Sequence, residues 1–178
     1  NSKEGMIVNI RYATMADLDD IASVESVCFP VLEAATKEEF EQRIKYYGNH
    51  FWLMFDNDKL IAFVDGFVTD EANLTDEMYE NASMHNENGA WQMIFGVNTL
   101  PEYRRCGYAK ELIKKAILDA REQNRRGLVL TCKKSLVPYY SKFGFVDEGI
   151  TDKSTHGNVL WHQMRLDFKL RNNGVKQI

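Results

Sequence analysis

One stretch narrows the possible folds more than any other: Met93-Ile94-Phe95-Gly96-Val97-Asn98-Thr99-Leu100-Pro101-Glu102-Tyr103-Arg104-Arg105-Cys106-Gly107-Tyr108-Ala109-Lys110. It reads as an apolar strand, a short basic turn and the start of a helix. The helix carries its apolar residues as a stripe of Ala109, Leu112, Ile113, Ala116, Ile117 and Ala120. The first amides of a helix lack intrahelical partners and sit at the positive end of its dipole, so such a turn can hold an anion such as a pyrophosphate. Arg104 and Arg105 add charge there; a strand, turn and helix with one glycine also occur with no ligand, and paired arginines at a turn are commonly just solvated. Gly96 inside the strand suggests either a bulge that frees backbone groups or a packing glycine.

The rest of the chain supplies an α/β complement. Met6 to Tyr12 reads as a first strand. Thr14-Met15-Ala16-Asp17 has the form of a capping box, and the helix after it has an inner face of Leu18, Ile21, Ala22, Glu25, Cys28 and Phe29. A carboxylate on that face either satisfies a neighbouring backbone group or holds a raised pKa and takes a proton through water. After a loop from Pro30 to Ala35, a second capping box at Thr36-Lys37-Glu38-Glu39 opens a helix to about Tyr47. His50 to Phe55 and Lys59 to Val68 read as strands around an Asp56-Asn57-Asp58 turn. Thr69 to Asn88 is polar and acidic and reads as surface or a lid, with a helix over Thr75 to Ala82 and a solvated His85. The helix from Gly107 is expected to end at Arg125-Arg126-Gly127, and the strand Gly127 to Cys132 to lie parallel to the one before the helix. A short helix from Ser135, with Pro138 in its first turn, and strands Phe145 to Ile150 and Asn158 to Phe168 complete the pattern. Residues 1–5 read as a tag remnant or frayed end, 6–168 as one domain and 169–178 as a polar tail.

Bulk properties exclude several classes. The 178-residue length suits one domain with a substantial core. A net charge of −4 speaks against general nucleic-acid binding. Cys28, Cys106 and Cys132 are odd in number and dispersed, which fits neither metal-ligand spacing nor a disulfide framework. No metal, and a reducing cytoplasmic setting, are therefore expected. No apolar run is long enough to span a membrane.

Two motifs carry a family resemblance. Arg104-Arg105-Cys106-Gly107-Tyr108-Ala109 resembles the R/Q-x-x-G-x-G/A acyl-CoA loop of the GNAT superfamily of N-acyltransferases, with Ala109 in place of the second glycine. Ser135-Leu136-Val137-Pro138-Tyr139-Tyr140-Ser141-Lys142-Phe143-Gly144-Phe145 resembles that superfamily's helix–strand corner. It is especially similar to the arylalkylamine (serotonin) N-acetyltransferases. The resemblance covers Val8 to Phe168. It implies a GNAT-like α/β fold: a mixed, mostly antiparallel sheet of about seven strands, splayed at its centre, with helices on both faces. It also implies acetyl-CoA as co-substrate and a small-molecule primary amine as acceptor, arylalkylamine-like in type, handled by a monomer or homodimer. Polyamines, aminoglycosides and protein N-termini stay open as acceptors.

Carried over residue by residue, the resemblance assigns pyrophosphate binding to Arg105, Cys106, Gly107, Tyr108, Ala109 and Lys110, with Cys106 otherwise incidental. Backbone of Phe95, Val97 and Thr99 would pair with the pantetheine amides, one amide near Phe95 to Val97 would serve as oxyanion donor, and Asn98, Arg104 and Tyr139 would complete the cofactor set. Tyr140 would protonate or hydrogen-bond the departing sulfur; without the motif it reads as a core aromatic. Phe29, Val159, Trp161 and the loop from Pro30 to Ala35 would line the acceptor pocket. The sequence departs from its nearest relatives in one respect. They carry two histidines on the strand before the loop, where Met93 and Phe95 stand here, and neither these nor Gln92 and Trp91 can accept a proton. Glu25 is the first candidate base, Glu33 the second and His162 the third. The missing histidines also leave open a non-catalytic acyl-CoA-binding or sensory module on the same fold.

Overall fold

The computed structural model describes residues 8–170. The segment 1–5, the expected strand residues Met6 and Ile7, and the tail from residue 171 lie outside the described residues. Nine strands run along the described chain: β1 (Val8–Arg11), β2 (Phe51–Asp56), β3 (Lys59–Asp65), β4 (Val68–Thr69), β5 (Trp91–Ile94), β6 (Gly96–Thr99), β7 (Gly127–Cys132), β8 (Val146–Ile150) and β9 (His162–Asp167). The helices are α1 (Leu18–Cys28), α2 (Lys37–Tyr47), α3 (Asp76–Glu80), α4 (Tyr108–Glu122) and α5 (Val137–Ser141). Among them no helix is long and apolar enough to cross a membrane. The strands form two hydrogen-bonded sheets, ordered β1-β2-β3-β6 and β4-β5-β7-β9-β8. The chain divides into two compact units, one of residues up to Gly66 with Gly96–Ala116, the other of Phe67–Phe95 with residues from Ile117 onward. The mixed α/β class is as expected. The sheet expected to splay at its centre forms two hydrogen-bonded ladders of nine strands in all among the described residues, where about seven were expected, and the chain changes ladder between Ile94 and Gly96, with Phe95 the residue between.

In the first unit every strand pairing is antiparallel. The β2–β3 hairpin closes on Asn57 and Asp58, with Asn57 in the left-handed region at φ 53°, a conformation asparagine tolerates in tight turns. β6 pairs with β3 and is an edge of its sheet. The first capping box forms: the Asp17 carboxylate accepts the Thr14 N–H at 2.8 Å and a two-pronged ion pair from Arg11. α1 then buries Ile21, Val24 and Glu25, with Leu18, Ala22, Cys28 and Phe29 half-buried, and packs on α2, β3 and β6. α2, capped by Thr36 and Glu39, buries Phe40, Arg43, Ile44 and Tyr47 as one helical stripe. Phe40 meets Phe51 and Phe63 edge-on, with ring centroids 6.2 and 5.8 Å apart.

In the second unit β5 and β7 are parallel, in register Met93↔Val129, as the strand–helix–strand pattern requires. Three expectations need correction. The segment between β4 and β5 is not plain surface: Leu74 before α3 and Met78 within it are fully buried, and Ala82 in the turn after it nearly so. Gln163 accepts the Leu74 N–H at 3.0 Å, and Asp76 accepts from Ser154 and Thr155. His85 is not solvated; its Nδ1 accepts the Val68 N–H at 3.0 Å and its Nε2 lies 2.7 Å from Glu87. The long helix ends at Glu122, with Asn124 at φ 59° as its left-handed stop. Gly127 starts β7, as expected, and a Cβ there would collide with the Leu166 carbonyl of β9. The last strand starts at His162 and not Asn158, because Gly157 and Asn158 hold φ of 71° and 53° and break the extended run.

Candidate active site

The anion-binding end lies in the first unit. After β6, Leu100 leads into a tight turn, Pro101–Tyr103, with proline at its start. The Tyr103 hydroxyl donates to Asp56 at 3.0 Å, and the Lys59 ammonium lies 5.4 Å from its ring centre, which ties the turn to the β2–β3 hairpin. Arg105 then turns left-handed at φ 62° and Gly107 at φ 83°, and α4 begins. The Glu111 N–H bonds back to the Gly107 carbonyl at 3.1 Å, so the amides before Glu111 form the open first turn. A Cβ at Gly107 would meet nothing within 4 Å: no side chain fills the cradle. Arg104, Arg105, Cys106 and Lys110 are exposed, Tyr108 and Ala109 half-buried. The free edge of β6 leads into this cradle. On it the Thr99 carbonyl accepts from Arg104 Nε at 3.0 Å and from the Cys28 thiol at 3.3 Å. Burial raises the pKa of that thiol, with Arg104 opposing. Val97 is half-buried, whereas the Asn98 side chain is fully buried and turned toward α1.

A buried polar cluster occupies the same unit. Glu25 is 5% exposed. Its Oε2 accepts the Ala35 N–H at 2.8 Å, while its Oε1 is buried with no hydrogen-bond partner. Asp65, at the inner end of β3, has one oxygen on the Arg43 guanidinium at 3.1 Å and the other, Oδ1, buried without a partner. The Asn98 amide likewise makes no hydrogen bond of standard geometry. All three converge on Gly96: a Cβ built there would lie 3.2 Å from Asn98 Nδ2, 3.5 Å from Asp65 Oδ1 and 3.6 Å from Glu25 Oε1. Burial, and then the charge of Asp65, raise the Glu25 pKa to about 7, against the Ala35 hydrogen bond, Arg43 and Asn98, which lower it. Burial raises Asp65 as well, with Arg43 opposing. Glu25 thus satisfies a backbone N–H, the first of its two sequence readings, while burial and Asp65 hold its carboxyl above the usual carboxylate range. Arg43 and Asp65 escaped the sequence reading. The signals were a cation inside the Phe40, Ile44, Tyr47 stripe and an aspartate closing the apolar run Leu60 to Val64. Glu33 lies half-buried on the loop between α1 and α2, and Phe29 half-buried at the end of α1.

The remaining candidates belong to the second unit. Tyr140 on α5 is 6% exposed and packs edge-on against Tyr139 and Phe145, with centroids 5.1 and 6.2 Å away. Burial, then Cys132 and Tyr139, push its phenol far above the ordinary tyrosine range. Tyr139 is half-buried, its pKa also raised by burial. Phe95 packs its ring 4.8 Å from that of Tyr79 and 5.0 Å from that of Phe67. His162 is engaged by Asp147, its Nδ1 3.0 Å from the carboxylate. Trp161 is buried and its carbonyl accepts the Thr151 N–H at 2.9 Å; Val159 is half-buried.

Comparison with known proteins places this geometry. A profile of the acetyltransferase (GNAT) family matches residues 18–145. A serotonin N-acetyltransferase from Mesocricetus auratus is 30% identical over 93 residues, 51% of this chain and 43% of that protein's length. The chain thus matches less than half of that relative. The loading GNATL domain of CurA from Lyngbya majuscula superposes with a TM-score of 0.79 at 17% identity, over 93% of this chain and all of that domain. A GphF GNAT-like decarboxylase solved in complex with isobutyryl-CoA gives 0.73 at 16% identity, over 89% and 98% of the two chains. At those identities the structural likeness speaks for the fold.

Proposed function

Because the chain belongs to the acetyltransferase (GNAT) family, we propose that it transfers an acetyl group from acetyl-CoA to a primary amine by direct attack on the thioester. The observation that carries this reading is the unfilled cradle at Gly107, reached along the free edge of β6. Its amides and the dipole of α4, with Arg104 and Arg105 at its rim, suit a diphosphate, and the β6 edge suits the amides of a pantetheine arm as an added strand.

An alkylammonium keeps its proton to about pH 10, so the nucleophile has to be made. Glu25, with its midpoint near 7, takes the proton directly or through water: the ammonium N–H breaks and a carboxyl O–H forms. The neutral nitrogen then attacks the thioester carbonyl, the C–S bond breaks as the C–N bond of the amide forms, and the nitrogen's second proton passes through water to the departing thiolate, which leaves as CoA thiol. Tyr140 stays a phenol throughout neutral pH. It serves the departing sulfur as a hydrogen-bond donor, because full proton transfer from so weak an acid to a thiolate runs uphill. Phe29, Val159 and Trp161 are the proposed lining for an arylalkylamine-like acceptor.

The test is thiol release from acetyl-CoA with a panel of arylalkylamines, polyamines, aminoglycosides and free peptide N-termini, with the acetylated product identified by mass. Release with at least one primary amine is expected. The second reading, a non-catalytic acyl-CoA-binding module, is favoured by Met93 and Phe95 standing where the arylalkylamine-type enzymes that the sequence resembles carry histidines. Acyl-CoA binding without release from any amine would select it.

A further inference from the structure

The charge balance around Gly96 has a consequence for Glu25. Three charged side chains around Gly96 are at least nine-tenths buried, Glu25 on α1, Arg43 on α2 and Asp65 on β3, apart from Asp17, which pairs with Arg11 at the start of α1. With both carboxyls ionised the group carries one excess negative charge away from water, which is costly unless a proton neutralises it. Where that proton can sit is restricted. Asp65 Oδ2 is committed to Arg43 and Glu25 Oε2 to the Ala35 N–H. Glu25 Oε1 and Asp65 Oδ1, which make no hydrogen bond of standard geometry, lie 3.6 and 3.5 Å from where a Cβ of Gly96 would sit, beside the Asn98 amide that helps hold Glu25 ionised.

We propose that Asp65, clamped by Arg43, is a positioning residue for Glu25: the two carboxyls hold one exchangeable proton between them, presented at Glu25 Oε1 beside Gly96, the residue at which β6 begins. The inference rests on the transfer reading above for its purpose, since it makes Glu25 the proton acceptor for the amine. It does not rest on that reading for its chemistry. The groups acting on Glu25 are Arg43 from α2, Asp65 from β3, Asn98 from β6 and Cys28 one turn further along α1, while Tyr47 and Glu39 of α2 act on Arg43. Of these, Asp65 is the other carboxyl with an oxygen toward Gly96. Glycine at 96 leaves the oxygens unscreened by a side chain.

The test is a carboxyl 13C NMR titration of the full chain, with Glu25→Gln and Asp65→Asn assigning the two signals. In the wild-type chain the Asp65 signal should move at the same midpoint as that of Glu25. In Asp65→Asn the Glu25 midpoint should fall by about one pH unit, since a like charge is lost and Arg43 is left facing Glu25 alone. The acid limb of the pH–rate profile should move down with it, while acyl-CoA affinity holds. An Asp65 signal blind to the Glu25 step overturns the proposal even if the variant fails to fold, and so does an unmoved Glu25 midpoint in a folded variant. Thiol release with no amine at all would defeat the transfer reading instead, and the titration would still decide this one.

Discussion

Glu25→Gln should make the protein more stable at alkaline pH, and by an amount the structure specifies. In the unfolded chain Glu25 titrates near its ordinary 4.5; in the fold it titrates at about 7. Below the first value both states hold the proton and the residue carries no penalty. Between the two the fold keeps a proton that the unfolded chain has lost, so raising the pH favours unfolding until the folded carboxyl also ionises. That interval corresponds to roughly 3 kcal/mol, at about 1.4 kcal/mol per pH unit. Glutamine carries no titrating proton, and its amide oxygen can still accept the Ala35 N–H that Oε2 accepts at 2.8 Å. Urea unfolding of both proteins across the pH range measures the effect of the Glu25–Asp65 site, since titrations far from it cancel in the difference. The wild type should lose roughly 3 kcal/mol more than the variant between about pH 4 and pH 8. Parallel stability curves would refute the argument that a buried, charge-crowded carboxyl is held at this site. A stable but inactive variant is the expected pairing, since a strained ionisable group kept at a site commonly trades stability for activity.

Other perturbations separate the remaining parts. Gly107→Ala meets no atom within 4 Å but must hold φ 83°, which costs about 1 kcal/mol of backbone strain; calorimetry should show weaker acyl-CoA binding, and unchanged affinity would remove the cradle. Tyr140→Phe should lower kcat roughly a hundredfold at constant acyl-CoA affinity, and full turnover would dismiss the phenol as a donor. Arg43→Met strands the Asp65 charge, fully buried and 3.1 Å from its partner, so denaturant unfolding at neutral pH should show a loss of about 3–5 kcal/mol. The loss should shrink in acid, as Asp65 takes up a proton; a loss independent of pH would mean that packing, not charge, is what Arg43 supplies.

What was legible in the chain was what depends on neighbours in sequence. The Thr14 and Thr36 capping boxes, the Asn57 turn and the Arg104 to Ala109 loop each set local backbone geometry through residues only a few positions apart. The parallel pairing of β5 and β7 followed from a helix too long to permit a hairpin. Glu25 stood out because a carboxylate broke an apolar stripe. The burial of Leu74 was not legible locally, because its N–H is held by Gln163, 89 positions along the chain. Tertiary structure alone decided the rest. Arg43 and Asp65 are 22 positions apart and meet as an ion pair only when α2 lies on the β2–β3 hairpin. The proton affinity of Glu25 is set by the water excluded around it and by a charge on another strand. Periodicity and capping are properties of a short segment of chain; solvation and charge at a buried site belong to everything packed around it.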